Sequence, residues 1–249
     1  MKNQLKNIVS ILLLGILISC NEGDADFSFD QQAVSTSGSI AKFYIDQTHL
    51  YVIEKSSLSV FDVTDFENVK REVKLDVDRE VETIYRLGDV LYLGTTTAVL
   101  FYDVSNPIDP KYLSSYEHFT GCDPVVSDGK YAYTTLRTSA GCGGGNDVLD
   151  VVDLTDVMAP TLVQSVNVSS PYGLVLFDDY LFVGQGNNGM RVFNVADVNS
   201  IQSIGAYGDI KAIDFIRDED NLIITTETGL VQVKVQTDGS FIILSQINY

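Results

Sequence analysis

The sequence predicts an all-β fold, a five-bladed β-propeller of about 41-residue four-stranded repeats, and three observations carry that prediction. The first is a recurring strand. Leu58–Asp62, Val99–Asp103, Leu149–Asp153, Met190–Asn194 and Leu230–Lys234 end at positions spaced 41, 50, 41 and 40 residues apart. The second is an independent series, Leu50-Tyr51, Leu91-Tyr92, Ala132-Tyr133, Leu181-Phe182 and Leu222-Ile223, which steps by 41, 41, 49 and 41. The third is local pattern. Short runs rich in Val, Ile, Tyr and Phe alternate with turn signals such as Leu87-Gly88-Asp89 and Ser127-Asp128-Gly129, and no apolar run of helical period and length follows residue 20. Four strands in about forty residues is the pattern of a propeller blade, and two anchors agreeing on one period make the repeat real.

The turn after the first recurring strand has a local cause. In Asp103-Val104-Ser105-Asn106-Pro107 an Asp side chain accepts a backbone N–H two residues on, and proline presets the next φ, so the chain reverses at low cost. Asp62-Val63-Thr64-Asp65 reads the same way; it offers too few oxygens for a calcium loop. Blade five has two claimants for its outer strand, Phe27–Val34 and Phe241–Ile247. The C-terminal segment is preferred, which leaves the N-terminal one in the tether.

These recurring strands, the Asp103–Pro107 turn and the Tyr131-Ala132-Tyr133 strand resemble the LVIVD-repeat β-propeller lipoprotein family over residues 40–249. Blades four and five depart from it, ending the motif in Asn194 and Lys234 without the proline turn. The sequence has no tryptophan, unlike WD40 blades. The blades are expected at about 40–78, 79–118, 119–169, 170–209 and 210–249.

Residues 1–19 read as a lipoprotein signal peptide. Lys2 and Lys6 precede an apolar run, Ile8–Ile18, of eleven residues, too short to span a bilayer. Leu17-Ile18-Ser19-Cys20 resembles a bacterial lipobox, which makes Cys20 the acylated mature N-terminus and residues 20–39 a polar tether. Asn21–Asp26 resembles an acidic surface-export signal. An outer-membrane lipoprotein of a diderm bacterium is expected, with surface display as the further expectation.

The net charge of −18 disfavours nucleic acid and anionic lipid surfaces, so membrane contact is expected through the anchor alone. Cys122 and Cys142 are expected to pair as a disulfide in an oxidising compartment. It would pin the single insertion, Thr138–Asn146, whose Gly141–Gly145 run lacks the Lys-Ser/Thr and helix of a phosphate-binding loop. Two histidines, His49 and His118, provide no zinc spacing, and no cofactor or metal is expected.

In a propeller the first strand of each blade is innermost. Aligning the starts of these strands places Ala41, Glu82, Asp123, Tyr172 and Lys211 in a ring at the channel mouth. Glu82, Asp123, Tyr172 and Lys211 are the candidate ligand-binding residues, and no residue is assigned a catalytic role. Gly184–Gly189 reads as a hairpin turn whose amides face the same side. The expected function is a membrane-anchored binding or scaffolding propeller for an extracellular polymer or another envelope protein. Glu82 with Asp123 keeps a glycosidase-like alternative open, and a purely structural envelope component is the other.

Overall fold

A computed structural model of the chain describes residues 38–118, 124–138 and 146–249. The alternating segments form strands in the expected order. Blade one is β1 (Phe43–Ile45), β2 (His49–Glu54), β3 (Ser57–Asp62) and β4 (Lys70–Asp76). Blade two is β5 (Val81–Leu87), β6 (Val90–Thr95), β7 (Ala98–Asp103) and β8 (Lys111–Glu117). Blade three is β9 (Val125–Ser127), β10 (Tyr131–Leu136), β11 (Val148–Asp153) and β12 (Thr161–Asn167). Blade four is β13 (Leu174–Phe177), β14 (Tyr180–Gly184), β15 (Met190–Asn194) and β16 (Gln202–Tyr207), and blade five is β17 (Ala212–Asp218), β18 (Asn221–Thr226), β19 (Gly229–Val235) and β20 (Phe241–Asn248). Each blade is an antiparallel sheet with its strands in chain order. The C-terminal segment β20 pairs with β19, as preferred from the sequence.

The recurring strands are the third strands, and the turn after them behaves as its chemistry requires. Asp62, Asp103, Asp153 and Asn194 each accept the backbone N–H two residues ahead. Blade four therefore makes this turn without proline, because Asn194 has the same acceptor geometry as aspartate. All five blades also carry a register shift at one place between strands three and four, for example between Phe101 and Tyr102 and between Val192 and Phe193. Such bulges sharpen the local twist that a blade needs.

Apolar residues alternate along each strand and pack between blades. Tyr44, Tyr51 and Leu58 of blade one meet Ile84, Leu91 and Leu100 of blade two. Phe101 of blade two meets Ala132 and Val152 of blade three. Tyr133 and Val151 meet Leu181 and Phe193 at the next boundary, and Phe182 and Val192 meet Phe215 and Ile224 at the fourth. Polar staples reinforce these boundaries: Arg86 pairs with Asp46, Arg217 with Asp178, and Tyr85 Oη donates to Ser127 O at 3.2 Å.

The boundary between blades five and one is built differently. Among the described residues no apolar core spans it. Phe43 on β1 is 50% exposed, whereas Ile84, Val125, Leu174 and Phe215, three residues before the equivalent hairpin positions, are almost wholly buried. Phe66 in the blade-one turn is 71% exposed, although its blade-four counterpart Val198 is buried.

What joins these ends is polar. The buried carboxylate of Asp214 on β17 accepts Ser39 N at 3.2 Å, Ser39 Oγ at 3.0 Å and Ile40 N at 3.3 Å. Ser39 Oγ in turn accepts Leu174 N of blade four at 2.7 Å. The approach is so close that a Cβ on Gly38 or Gly173 would lie 2.0 or 2.2 Å from an Asp214 oxygen. Burial pushes the Asp214 carboxyl up to about 6, against the pull of the Phe215, Ser39 and Ile40 hydrogen bonds.

This sets a testable sign. The folded protein retains a proton on Asp214 between about pH 4 and pH 6 that the unfolded chain releases. The stabilisation from that proton is complete below this window and disappears as pH rises through it. Asparagine does not titrate, so the stability advantage of the wild type over Asp214→Asn should shrink from pH 4 to pH 7, by up to roughly 3 kcal/mol. Urea unfolding at both pH values measures it; a constant or widening difference refutes the account.

Candidate functional site

The lead-in segments and the loops between second and third strands share one face, and the residues there decide what the mouth can bind. Glu82 sits in a bulge of β5, between the pairs Val81–Thr95 and Thr83–Gly94. It is half-buried, and burial pushes its carboxyl above the ordinary value; Lys42 draws it back, Glu80 adds to the rise, and Arg137 opposes it. Tyr172 immediately precedes β13, with its N–H bonded to Gly184 O at 2.8 Å and its carbonyl accepting Thr135 Oγ1 at 2.8 Å.

Arg137, at the end of the blade-three β10 strand, links the two. Its guanidinium carbon lies 3.9 Å from the Tyr172 ring centroid, a cation–π distance, and its charge reaches Glu82. Acid, aromatic ring and base thus come together at the mouth, contributed by blades two, four and three, with Lys42 added from blade one. The base is not the one read from the sequence. Lys211 is exposed and lies two residues ahead of the ring position, which in blade five is held by Ile213, the bulged residue between Ala212–Thr226 and Asp214–Thr225. A bulge adds a residue without an apolar-pattern signature, so aligning strand starts from sequence misplaced Lys211. Asp123, Cys122, Cys142 and Cys20 lie outside the described residues, as do residues 139–145 of the insertion.

The base of that insertion is described. Asp147 accepts Thr138 N at 2.9 Å, Thr138 Oγ1 at 2.9 Å and Ser170 N at 2.8 Å. Burial raises its carboxyl, but these bonds outweigh it and hold the group below the ordinary aspartate value. One carboxylate therefore pins both stems of the insertion and ties them to blade four. Arg137 and Asp147 were both missed from sequence, although their place beside the only length irregularity in the repeat was the available signal.

Gly184–Gly189 closes the site on the blade-four side. Residues Gly186–Asn188 form a single 3-10 turn, and Gln185 Nε2 donates to Ser169 O at 2.7 Å. This is the tight connection the sequence suggested, with Asn188 Nδ2 also directed to Ser169 Oγ at 3.4 Å. Among the described residues no cluster of three or more His, Cys, Asp or Glu side chains stands ready for a metal. A shallow open depression of about 280 Å³ lies away from this face, on the blade-four outer edge beside Asn194, Asp197 and Gln202.

No protein-family model matches the chain, and no curated protein matches it in sequence. Solved structures do match in fold. A Lactobacillus plantarum protein shares 15% identity at a TM-score of 0.65, over 80% of this chain and 68% of that one. The Pseudomonas aeruginosa periplasmic gluconolactonase shares 13% at 0.63, over 81% and 67%. A functionally unknown protein of Desulfotomaculum acetoxidans shares 10% at 0.63, over 81% and 66%. The chain spans about two thirds of the length of these proteins, and the likeness is one of fold.

The Tyr172 ring is held in place by its neighbours, which gives a direct test. Gly186 has φ +51°, and a Cβ there would lie 2.7 Å from Tyr172 Cε2. Gly186→Ala should therefore cost about 1–3 kcal/mol in unfolding free energy and displace the ring. Denaturation together with the chemical shift of the Tyr172 ring checks both; an unperturbed shift would show that the ring is not clamped.

Proposed function

We propose that this protein is a lipid-anchored envelope lipoprotein of the LVIVD-repeat type, whose propeller serves as a binding scaffold for an extracellular polymer or another envelope protein. The observation that carries the binding reading is the Arg137 bridge between Glu82 and Tyr172, with Lys42 beside it. A carboxylate, two cations and a tyrosine presented by rigid strand ends offer hydrogen-bond donors and acceptors for hydroxyl or amide groups at small entropic cost. Arg137 already covers the Tyr172 ring, so a ligand would meet the guanidinium edge rather than a bare stacking face. Asp123 and Lys211 remain part of the proposed mouth, with Lys211 at its rim.

The anchor reading rests on the Lys2–Cys20 pattern, and the pairing of Cys122 with Cys142 on their place in the repeat. A Cys122–Cys142 bridge would brace the insertion whose stems Asp147 already ties. A carbohydrate-active reading has one observation in its favour, the raised pKa of Glu82, which suits a proton donor.

Cys20→Ser should abolish metabolic labelling with an alkyne fatty acid and move the protein from the membrane to the soluble fraction; retention after a carbonate wash would reject the anchor. For the site, a panel of soluble polysaccharides and solubilised envelope proteins is offered to the wild type and to Glu82→Gln/Arg137→Ala. Binding to one class that falls at least about tenfold in the double variant, with an unchanged melting temperature, supports the reading. Turnover of a glycoside or lactone that is lost in Glu82→Gln would replace it with the enzymatic one.

A further inference from the structure

The boundary between blades five and one exposes two facing apolar surfaces. On blade one, Phe43 pairs with Val52 across β1 and β2, and Phe61 lies on the same face of the sheet through its pairing with Leu50. On blade five, Ile216 pairs with Ile223, and Leu230 shares their face. Phe43 is exposed and the other five are half-buried, whereas the opposite faces of both sheets, with Tyr51 and Val60 on one and Phe215 and Val231 on the other, are buried against neighbouring blades. At each of the other four boundaries such faces pack on one another.

We infer that this open wedge is occupied by the chain's own segment Phe27–Val34. Three observations select it. The first is where the chain enters: Gly38, Ser39 and Ile40 are fastened to Asp214 of blade five, so the preceding residues leave from the inner end of the wedge. The second is reach. Val34 is four residues from Gly38, a span of at most about 14 Å even when fully extended, which confines the segment's end to the vicinity of this boundary. The third is chemistry. Phe27, Phe29, Ala33 and Val34 form the one apolar stretch between Cys20 and Gly38. The polar channel mouth with Glu82, Arg137 and Lys42 offers it nothing comparable to Phe43, Phe61 and Ile223. Covalent attachment gives this segment an effective concentration that a second copy would reach only at millimolar protein. The wedge is thus closed from within. Only Asn21–Asp26 then remains as a free tether, which would hold the propeller close to whatever surface carries Cys20.

The test uses the full chain, purified in detergent, with the photoreactive amino acid benzoylphenylalanine in place of Phe29. Irradiation should give a product of monomer mass in which position 29 is joined to peptides containing Phe43–Phe61 or Ile216–Leu230. A control at Asp24 should label these peptides at least about tenfold less. Cross-links between two copies would assign the wedge to a second molecule and overturn the inference. Cross-links to the channel mouth, or labelling no stronger than the Asp24 control, would overturn it too. As an independent readout, Phe27→Ser/Phe29→Ser should raise amide exchange in strands β1 and β18 by about tenfold while leaving β6 and β14 unchanged. Unchanged exchange in β1 and β18 counts against the proposal; a uniform rise in all four would show general destabilisation and count against it equally.

Discussion

The architecture depends on one buried carboxylate. Four of the five blade boundaries are apolar, each formed when one sheet's inward face meets the next. The fifth is held among the described residues by Asp214, which accepts two backbone N–H groups and a hydroxyl from residues 39 and 40. A buried carboxylate is expensive to desolvate, and only several convergent donors offset that cost. Here the donors come from a segment remote in sequence, and Ser39 passes the connection on to Leu174 of blade four. Start, fourth blade and fifth blade are therefore joined at one point. A repeat protein normally propagates through nearest-neighbour interfaces; this contact makes the end of the chain depend on its beginning.

The same logic of polar groups fixing what apolar packing leaves free recurs at the functional face. Asp147 ties both stems of the blade-three insertion to blade four, and Arg86 and Arg217 staple hairpins of adjacent blades on the opposite face. Apolar faces that alternate every second residue can slide by two with little penalty. Carboxylates with two or three donors cannot. The repeat supplies the sheets, and these individual residues supply the register between them.

What was legible in the sequence was whatever repeats. The strands, the blade order, the Asp and Asn turn acceptors and the closing role of Phe241–Asn248 all follow from periodicity and turn chemistry. What was illegible breaks the period. The bulge in β17 puts Ile213 where Lys211 was expected, and no residue type marks a bulge. Arg137 and Asp147 act through long side chains across blade boundaries, so neither has a neighbour in sequence that betrays its role. Asp214 read as one acid among many, because its burial is created by Gly38 and Gly173 meeting it from distant parts of the chain.

Charge gives the mouth its character. The chain carries 34 acidic residues against 16 Lys and Arg, so a cation would find favourable potential over much of its surface. At the mouth, however, Lys42 and Arg137 face Glu82, and the local balance is near neutral. A site that selected simple cations would leave its carboxylates uncovered. One that pairs them selects instead for neutral polar groups able to insert between acid and base, since such groups exchange one hydrogen-bond set for another without moving net charge. The acidic exterior then acts on what approaches, turning away polyanions, while Arg137 and Glu82 act on what stays.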